Sequence, residues 1–192
     1  RRETQGSHSG RIDAVTLQQV LATARDRLVV SGIDPDEAAI DVDLYARTIL
    51  GWDRARLLTE QRSPAPAALE PLFSEWVERR ARHEPSAYIV GVREFWGLDF
   101  RVSPAVLIPR PETEFIVEES LSLLEPLAGP RIADIGTGSG NIAISLAHAR
   151  RDGRVVATDV SSEALAVAME NAEQHDVASR VEVVTPGSWQ AE

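Results

Sequence analysis

Three glycines in five residues interrupt an apolar strand-to-helix passage, Ile132-Ala133-Asp134-Ile135-Gly136-Thr137-Gly138-Ser139-Gly140-Asn141. No other segment of the 192 residues restricts the fold as much. The run Arg131–Asp134 is too short for a helix and reads as a strand ending in an acid. Glycines then allow a tight turn and close approach of a ligand to the backbone. Asn141–His148 follows as an apolar helix with Ile142 and Leu146 inward. The alternation continues, with a strand at Arg154–Asp159, a helix at Glu163–Gln174 and a third strand at Val181–Val184. Upstream, Pro111 opens a helix containing Val117, Leu121 and Leu124. Such a β-α-β-α-β run is half of a doubly wound parallel sheet in an α/β fold. Three strands with an open parallel edge do not complete a sheet of this class.

The first part of the chain has a different periodicity. Thr16 and Gln19 make a capping box, and Leu17, Val20, Leu21, Ala24 and Leu28 fall on one helical face. Asp34-Pro35-Asp36-Glu37 starts a second helix that runs to Gly51, and Asp53 caps a short third. Leu69, Leu72, Phe73, Trp76, Val77 and Arg80 mark a fourth, ending before Pro85. The aromatic and leucine stripes read as core. Tyr88-Ile89-Val90-Gly91 and Phe95 to Val102 are β-type with glycine breaks, which suggests a hairpin. The expected organisation is a polar tail at 1–10, a small N-terminal helical bundle at 11–84, a β-hairpin linker at 85–105 and an incomplete α/β domain at 106–192.

Charge narrows the partners. All 20 basic residues are arginine, against 30 acids. Residues 1–84 hold 12 Arg and 14 acids, and residues 85–192 hold 8 Arg and 16 acids. A non-specific nucleic-acid binder needs a basic footprint, so no direct nucleic-acid contact is expected, while a cationic ligand is tolerated. There is no cysteine, no run long enough to span a bilayer and no signal-peptide pattern, which together read as cytoplasmic. The histidines are scattered, and no metal is expected.

The glycine turn carries the chemistry. Its spacing is G-x-G-x-G, not the dinucleotide G-x-G-x-x-G, because Asn141 stands at the sixth position. A pyrophosphate cradle is the weaker fit. Asp134, two residues before the first glycine, suits a ligand bearing an ammonium group. Asp159 ends the next strand, 19 residues past Gly140, where a carboxylate can accept hydrogen bonds from two ribose hydroxyls. Its plain structural alternative is to cap the following helix.

This segment resembles the nucleotide-binding loop of class I (Rossmann-like) S-adenosylmethionine-dependent methyltransferases. Val106-Leu107-Ile108-Pro109-Arg110-Pro111-Glu112-Thr113-Glu114, preceded by Pro85 to Gly91 and Glu94-Phe95-Trp96-Gly97-Leu98, makes the likeness narrower. With Leu50-Gly51-Trp52-Asp53-Arg54 in the bundle, the chain from about residue 13 onward resembles the release factor glutamine methyltransferase family (PrmC/HemK). The resemblance implies a helical substrate-recognition domain, a hairpin linker and a methyltransferase domain. It implies methyl transfer from S-adenosylmethionine, leaving S-adenosylhomocysteine. The acceptor would be the glutamine amide nitrogen (N5) of the Gly-Gly-Gln motif in class I peptide chain release factors, which serve translation termination. Gly136, Thr137, Gly138, Ser139 and Gly140 would line the methionine and ribose, with Asp134 near the amino group and Asp159 on the ribose. Trp189 would flank the adenine, although the acid that usually precedes it is Ser188 here. Arg110, Glu112 and Glu114 would border the active site, and helix capping explains the two acids equally well.

One element of the family is missing from the sequence. Its catalytic Asn-Pro-Pro-Tyr, whose asparagine and proline carbonyl hold the substrate amide, occurs nowhere, and Asn141 and Asn171 are the only asparagines. The chain by itself is therefore not expected to complete methyl transfer. Three other readings compete. An adenine-N6 nucleic-acid methyltransferase is disfavoured by the acidic charge, and a nicotinamide-dependent dehydrogenase by the glycine spacing. A non-catalytic nucleotide-fold module stays open because fold alone does not fix function.

Overall fold

The structure is a computed structural model and describes residues 15–186, which fall into two units meeting at Ile89 and Val90. The expected tail at 1–10 and Trp189 lie outside the described residues.

The first unit is helical. Its helices are α1 (Leu17–Val30), α2 (Pro35–Leu50), α3 (Arg54–Thr59), α4 (Leu72–Ala81) and α5 (Ser86–Val90), which ends at the junction. The sequence explains most of the starts. Thr16 and Gln19 cap α1 reciprocally, Asp34 accepts from the N–H groups of Asp36 and Glu37, and Asp53 accepts from Arg56. Gly51, at φ 63°, closes α2 in the left-handed conformation. α1, α2 and α4 pack on one another over Leu17, Leu21, Leu28, Val42, Tyr45, Phe73 and Val77, all nearly inaccessible. Tyr45 meets Trp76 edge-on at 5.5 Å, so the aromatic stripe is core, as its spacing suggested.

A buried ionic network ties this unit together. Arg80 donates through Nε to Asp41 at 2.6 Å and through NH2 to Glu37 at 2.6 Å. Ser86 Oγ donates to the other Asp41 oxygen at 2.5 Å and lies 2.7 Å from the Tyr45 hydroxyl. Burial pushes the Tyr45 pKa up to about 12, and the neighbouring Asp41 carboxylate adds to the rise. Burial works against the Arg80 charge, but Asp41 and Glu37 together hold its pKa above the usual value.

Two expectations need correction here. Leu69 is not part of the fourth helix; it sits in a separate 3-10 turn, Ala67–Leu69, and α4 starts at Leu72. Pro71 is the reason, since it lacks an N–H and disfavours helical geometry in the residue before it. Tyr88 to Val90 is helix, not strand. The Pro85 carbonyl accepts from the N–H groups of Tyr88 and Ile89, forming α5. Ile89 and Val90 suggested a strand, but the run is too short for alternation to decide, and the bond from Ser86 to Asp41 anchors it as a turn of helix.

The second unit opens with a hairpin of β1 (Val92–Phe95) and β2 (Leu98–Arg101). The chain reverses at Trp96-Gly97, at a glycine break within the Phe95 to Val102 stretch read as β-type. Both residues have positive φ (56° and 71°), the pattern of a tight two-residue hairpin loop. After a 3-10 turn at Pro111–Thr113 come α6 (Glu114–Leu124), β3 (Arg131–Ile135), α7 (Asn141–Ala149), β4 (Arg154–Thr158), α8 (Ser162–Gln174) and β5 (Val181–Val184). The three later strands are parallel in the order β3-β4-β5. One core joins the hairpin to the sheet, in which Phe95, Phe100 and Val117 pack with Ala143, Ile144, Ala147, Val155, Ala157 and Val181. Ala133 and Ile135 face outward on β3, and Ile135 is 72% exposed.

Candidate functional site

The carboxyl ends of β3 and β4, where open α/β sheets bind ligands, are joined by the glycine turn. The turn wraps the end of β4, whose Thr158 carbonyl accepts from the N–H groups of both Gly136 and Thr137 at 2.8 Å. Gly136, Gly138 and Gly140 all have positive φ, of 78°, 55° and 80°. A Cβ at Gly136 or Gly138 would meet nothing within 4 Å, so these two leave open space over the backbone. Gly140 is different. Its missing Cβ would lie 2.8 Å from Ile144 Cδ1 and 3.2 Å from Ala168 Cβ, so this glycine lets α7 and α8 close on each other. Thr137 and Ser139 are buried, so the open side of the turn is at Gly136 and Gly138.

The two carboxylates flank this turn. Asp134 Oδ2 accepts from Thr137 Oγ1 at 2.7 Å. Burial raises the Asp134 pKa; the Thr137 hydrogen bond opposes this, and nearby Asp159 adds to the rise. A half-buried carboxylate with a second carboxylate beside it favours a cationic group as neighbour. Asp159 accepts from the Gly138 N–H at 2.9 Å through Oδ2 and from the Ser161 N–H at 3.0 Å through Oδ1. The N-cap of α8 is Ser161, not Asp159, and it accepts from Ala164. Asp159 thus holds the glycine turn and the approach to α8 together. Each oxygen keeps a lone pair for a further donor.

The structure brings together Asp134, Gly136, Thr137, Gly138, Ser139, Gly140 and Asp159. Arg110 and Glu112 are exposed at the start of the 3-10 turn before α6. Glu114 neither caps its own helix nor faces open solvent: its Oε1 accepts the Trp96 N–H at 3.0 Å, bracing the hairpin turn. Sequence reasoning missed one partner of the turn, Asn171. The signal for Asn171 was available, since it is a lone amide on the α8 stripe formed by Ala164, Leu165, Ala168 and Ala172. Among the described residues no cluster of three or more acids and histidines is arranged to hold a metal ion, and no helix is long and apolar enough to cross a membrane.

Known proteins resemble both units. The family model described as the PrmC N-terminal domain matches residues 19–91, and one described as a precorrin methyltransferase domain matches residues 116–191. A release factor glutamine methyltransferase of Moorella thermoacetica is 44% identical over 171 residues, 87% of this chain and 58% of the relative. One from Burkholderia pseudomallei is 44% identical over 151 residues, 79% of this chain and 52% of the relative. Among solved structures, an RNA methyltransferase of Salinibacter ruber in complex with S-adenosyl-L-homocysteine is 27% identical, with a TM-score of 0.36 over 41% of this chain and 49% of that one. The chain spans about half the length of the curated relatives it matches. Over that span the chain is similar to release factor glutamine methyltransferases, the N-terminal family model matching the helical unit and the relatives running on into the α/β unit.

Proposed function

We propose that this chain forms the S-adenosylmethionine-binding part of a protein methyltransferase. Its substrate is the side-chain amide nitrogen of the glutamine in the Gly-Gly-Gln motif of class I peptide chain release factors. The observation that carries the reading is the pair of carboxylates on either side of a glycine turn whose backbone is open at Gly136 and Gly138. The relatives' shared name supplies the acceptor.

When bound, the cofactor supplies a methyl group on a sulfonium, together with an ammonium and a ribose. Asp134 offers its carboxylate to the ammonium. Asp159 accepts from the ribose hydroxyls with the lone pairs that Gly138 and Ser161 leave free. The reading assigns Trp189 to the adenine, and Arg110 and Glu112 to the border of the acceptor. The helical unit grips the release factor. The Asn-Pro-Pro-Tyr that orients the acceptor amide is not in this sequence, so transfer belongs to a protein that also carries it. Among the described residues β3 pairs on one side only, and this free edge is where the reading seats further strands. An amide nitrogen is a poor nucleophile because its lone pair is delocalised. Orientation and polarisation of the amide therefore do most of the work. The reaction takes place in the cytoplasm, without metal, membrane or direct nucleic-acid contact.

Two measurements test this. Calorimetric titration of the chain with S-adenosylhomocysteine is expected to show one site, and no heat beyond dilution sinks the cofactor reading. A protein of the relatives' length, with this chain as its first part, is expected to add one methyl to a release factor. A release factor unmodified at the Gly-Gly-Gln glutamine sinks the substrate reading.

A further inference from the structure

Asn171 is fully buried, yet it lies on the face of α8 that meets the glycine turn, one turn beyond Ala168. Its Nδ2 donates to the Ser139 carbonyl at 2.9 Å and to the Arg101 carbonyl at 3.0 Å. Its Oδ1 accepts the Arg101 N–H at 2.7 Å. Both amide hydrogens and the oxygen are thus engaged, and the amide pairs with Arg101 as an adjoining strand would. A buried amide satisfied in this way is tied to one geometry, because any displacement strands polar groups away from water.

The bond to Ser139 has a specific consequence for the turn. The Ser139 carbonyl and the Gly140 N–H share one rigid peptide plane. Asn171 holds the carbonyl side of that plane, while the Thr137 carbonyl accepts the Gly140 N–H at 2.8 Å. The other pins on the turn come from the sheet side, from Asp134 on β3, Thr158 on β4 and Asp159 just after it. Asn171 brings the pin from α8 and links it to β2 through Arg101.

We propose that Asn171 is a positioning residue for the cofactor turn, coupling the hairpin strand β2 to the conformation in which the turn accepts its ligand. The inference rests on the cofactor reading above. It adds that ligand affinity depends on an amide that never touches the ligand, and that ligand binding tightens the Arg101 backbone. A residue that merely stabilised the unit would lower its melting temperature and leave the affinity of the folded protein unchanged.

The test uses the whole chain with S-adenosylhomocysteine as probe. Asn171→Leu removes both donors at similar volume; Asn171→Asp removes both while ionised and keeps a single O–H donor when protonated. Both are expected to weaken binding about tenfold at neutral pH, the scale of losing a buried hydrogen bond and leaving its partner unmet. Relative to the wild type at each pH, Asn171→Asp recovers affinity as the pH falls and its acid regains an O–H donor, and Asn171→Leu does not. Hydrogen exchange at residues 138–141 is expected to speed up about tenfold, and at Val155 and Ala157 in β4 by far less. In the unaltered chain, the ligand is expected to slow exchange at the Arg101 amide; this needs no variant and stands if both variants fail to fold. Unchanged affinity in folded Asn171→Leu, or an Arg101 amide indifferent to bound ligand, overturns the proposal. If the unaltered chain binds no S-adenosylhomocysteine, the cofactor reading fails and exchange in the variants alone decides. Residues 138–141 opening no faster than β4 would then refute the positioning role.

Discussion

Gly140→Ala separates two reasons for a glycine in one turn. Gly140 sits at φ 80° and ψ 8°, where an L side chain costs about 1–2 kcal/mol. Gly138, at φ 55°, carries the same conformational cost. Only Gly140 adds a packing cost. Ile144 Cδ1, 2.8 Å from the added methyl, is the end of a flexible side chain and swings away. The two Ala168 carbons, Cβ at 3.2 Å and Cα at 3.4 Å, are fixed to the α8 backbone, so the helix itself must move. Forcing a methyl into a well-packed space costs about 1–3 kcal/mol. The expected losses are therefore about 1–2 kcal/mol for Gly138→Ala and about 2–5 kcal/mol for Gly140→Ala. Any gain from restricting the unfolded chain is common to both substitutions and cancels in the comparison.

The assay is native-state hydrogen exchange at Val155 and Ala157, which report the opening of the second unit without interference from the first. Adding Ala168→Gly removes the methyl that would stand 3.2 Å away. By itself that change costs about 1 kcal/mol, as any glycine in a helix interior does. In the Gly140→Ala background it is expected to cost less than that, or to restore stability. Equal destabilisation by Gly138→Ala and Gly140→Ala refutes the packing argument, as does full additivity of Ala168→Gly. Ligand binding should rank the two glycines the other way. A methyl at Gly138 projects into the open side of the turn and is expected to impair S-adenosylhomocysteine binding more than stability.

The other expectations concern charge. Asp159→Ala is expected to weaken S-adenosylhomocysteine binding about tenfold or more, the scale of losing hydrogen bonds to a charged group; calorimetry showing equal affinity removes the ribose role. Because the pKa of Asp134 is raised, its carboxylate is complete only above that raised value, so affinity for an ammonium-bearing ligand should fall as the pH drops through it. Stability runs the opposite way, declining as the pH rises from the ordinary carboxylate pKa to the raised one. Asp134→Asn should flatten both profiles, measured by calorimetry and by denaturation against pH; a variant that keeps the wild-type slopes rules out Asp134 as their source. Arg80→Met strands the buried Asp41 and is expected to destabilise the helical unit by about 3–5 kcal/mol, with Arg80→Met/Asp41→Leu recovering most of it in urea denaturation.

Local signals in the sequence identified the elements wherever the deciding forces were themselves local. The capping box at Thr16, the Asp34-Pro35 start, the Asp53 cap and the third strand at Val181–Val184 follow from residues a few positions apart. The errors fall where a distant partner decided. Tyr88 to Val90 became helix through Pro85 and the bond from Ser86 to Asp41, which is 45 residues away. The hairpin turned at Trp96-Gly97, where the Glu114 carboxylate, 18 residues on, accepts the Trp96 N–H of a residue held at positive φ.

The candidate site divides in the same way. Asp134, the three glycines and Asp159 were legible because the chemistry of a strand end imposes spacing along the chain. What shapes the turn between them was not legible, since the Ser139 carbonyl is met by an amide 32 residues further on, and that amide is held in turn by Arg101. A glycine turn free to sample both hands of the backbone has no reason to keep three residues at positive φ. Here Thr158, Asp159 and Asn171 each fix a different peptide of it. Affinity at such a turn is accordingly a property of the whole α/β unit. Substitutions at Asn171 or Ala168, which line no open space, should therefore be felt at the ligand as directly as those at the glycines.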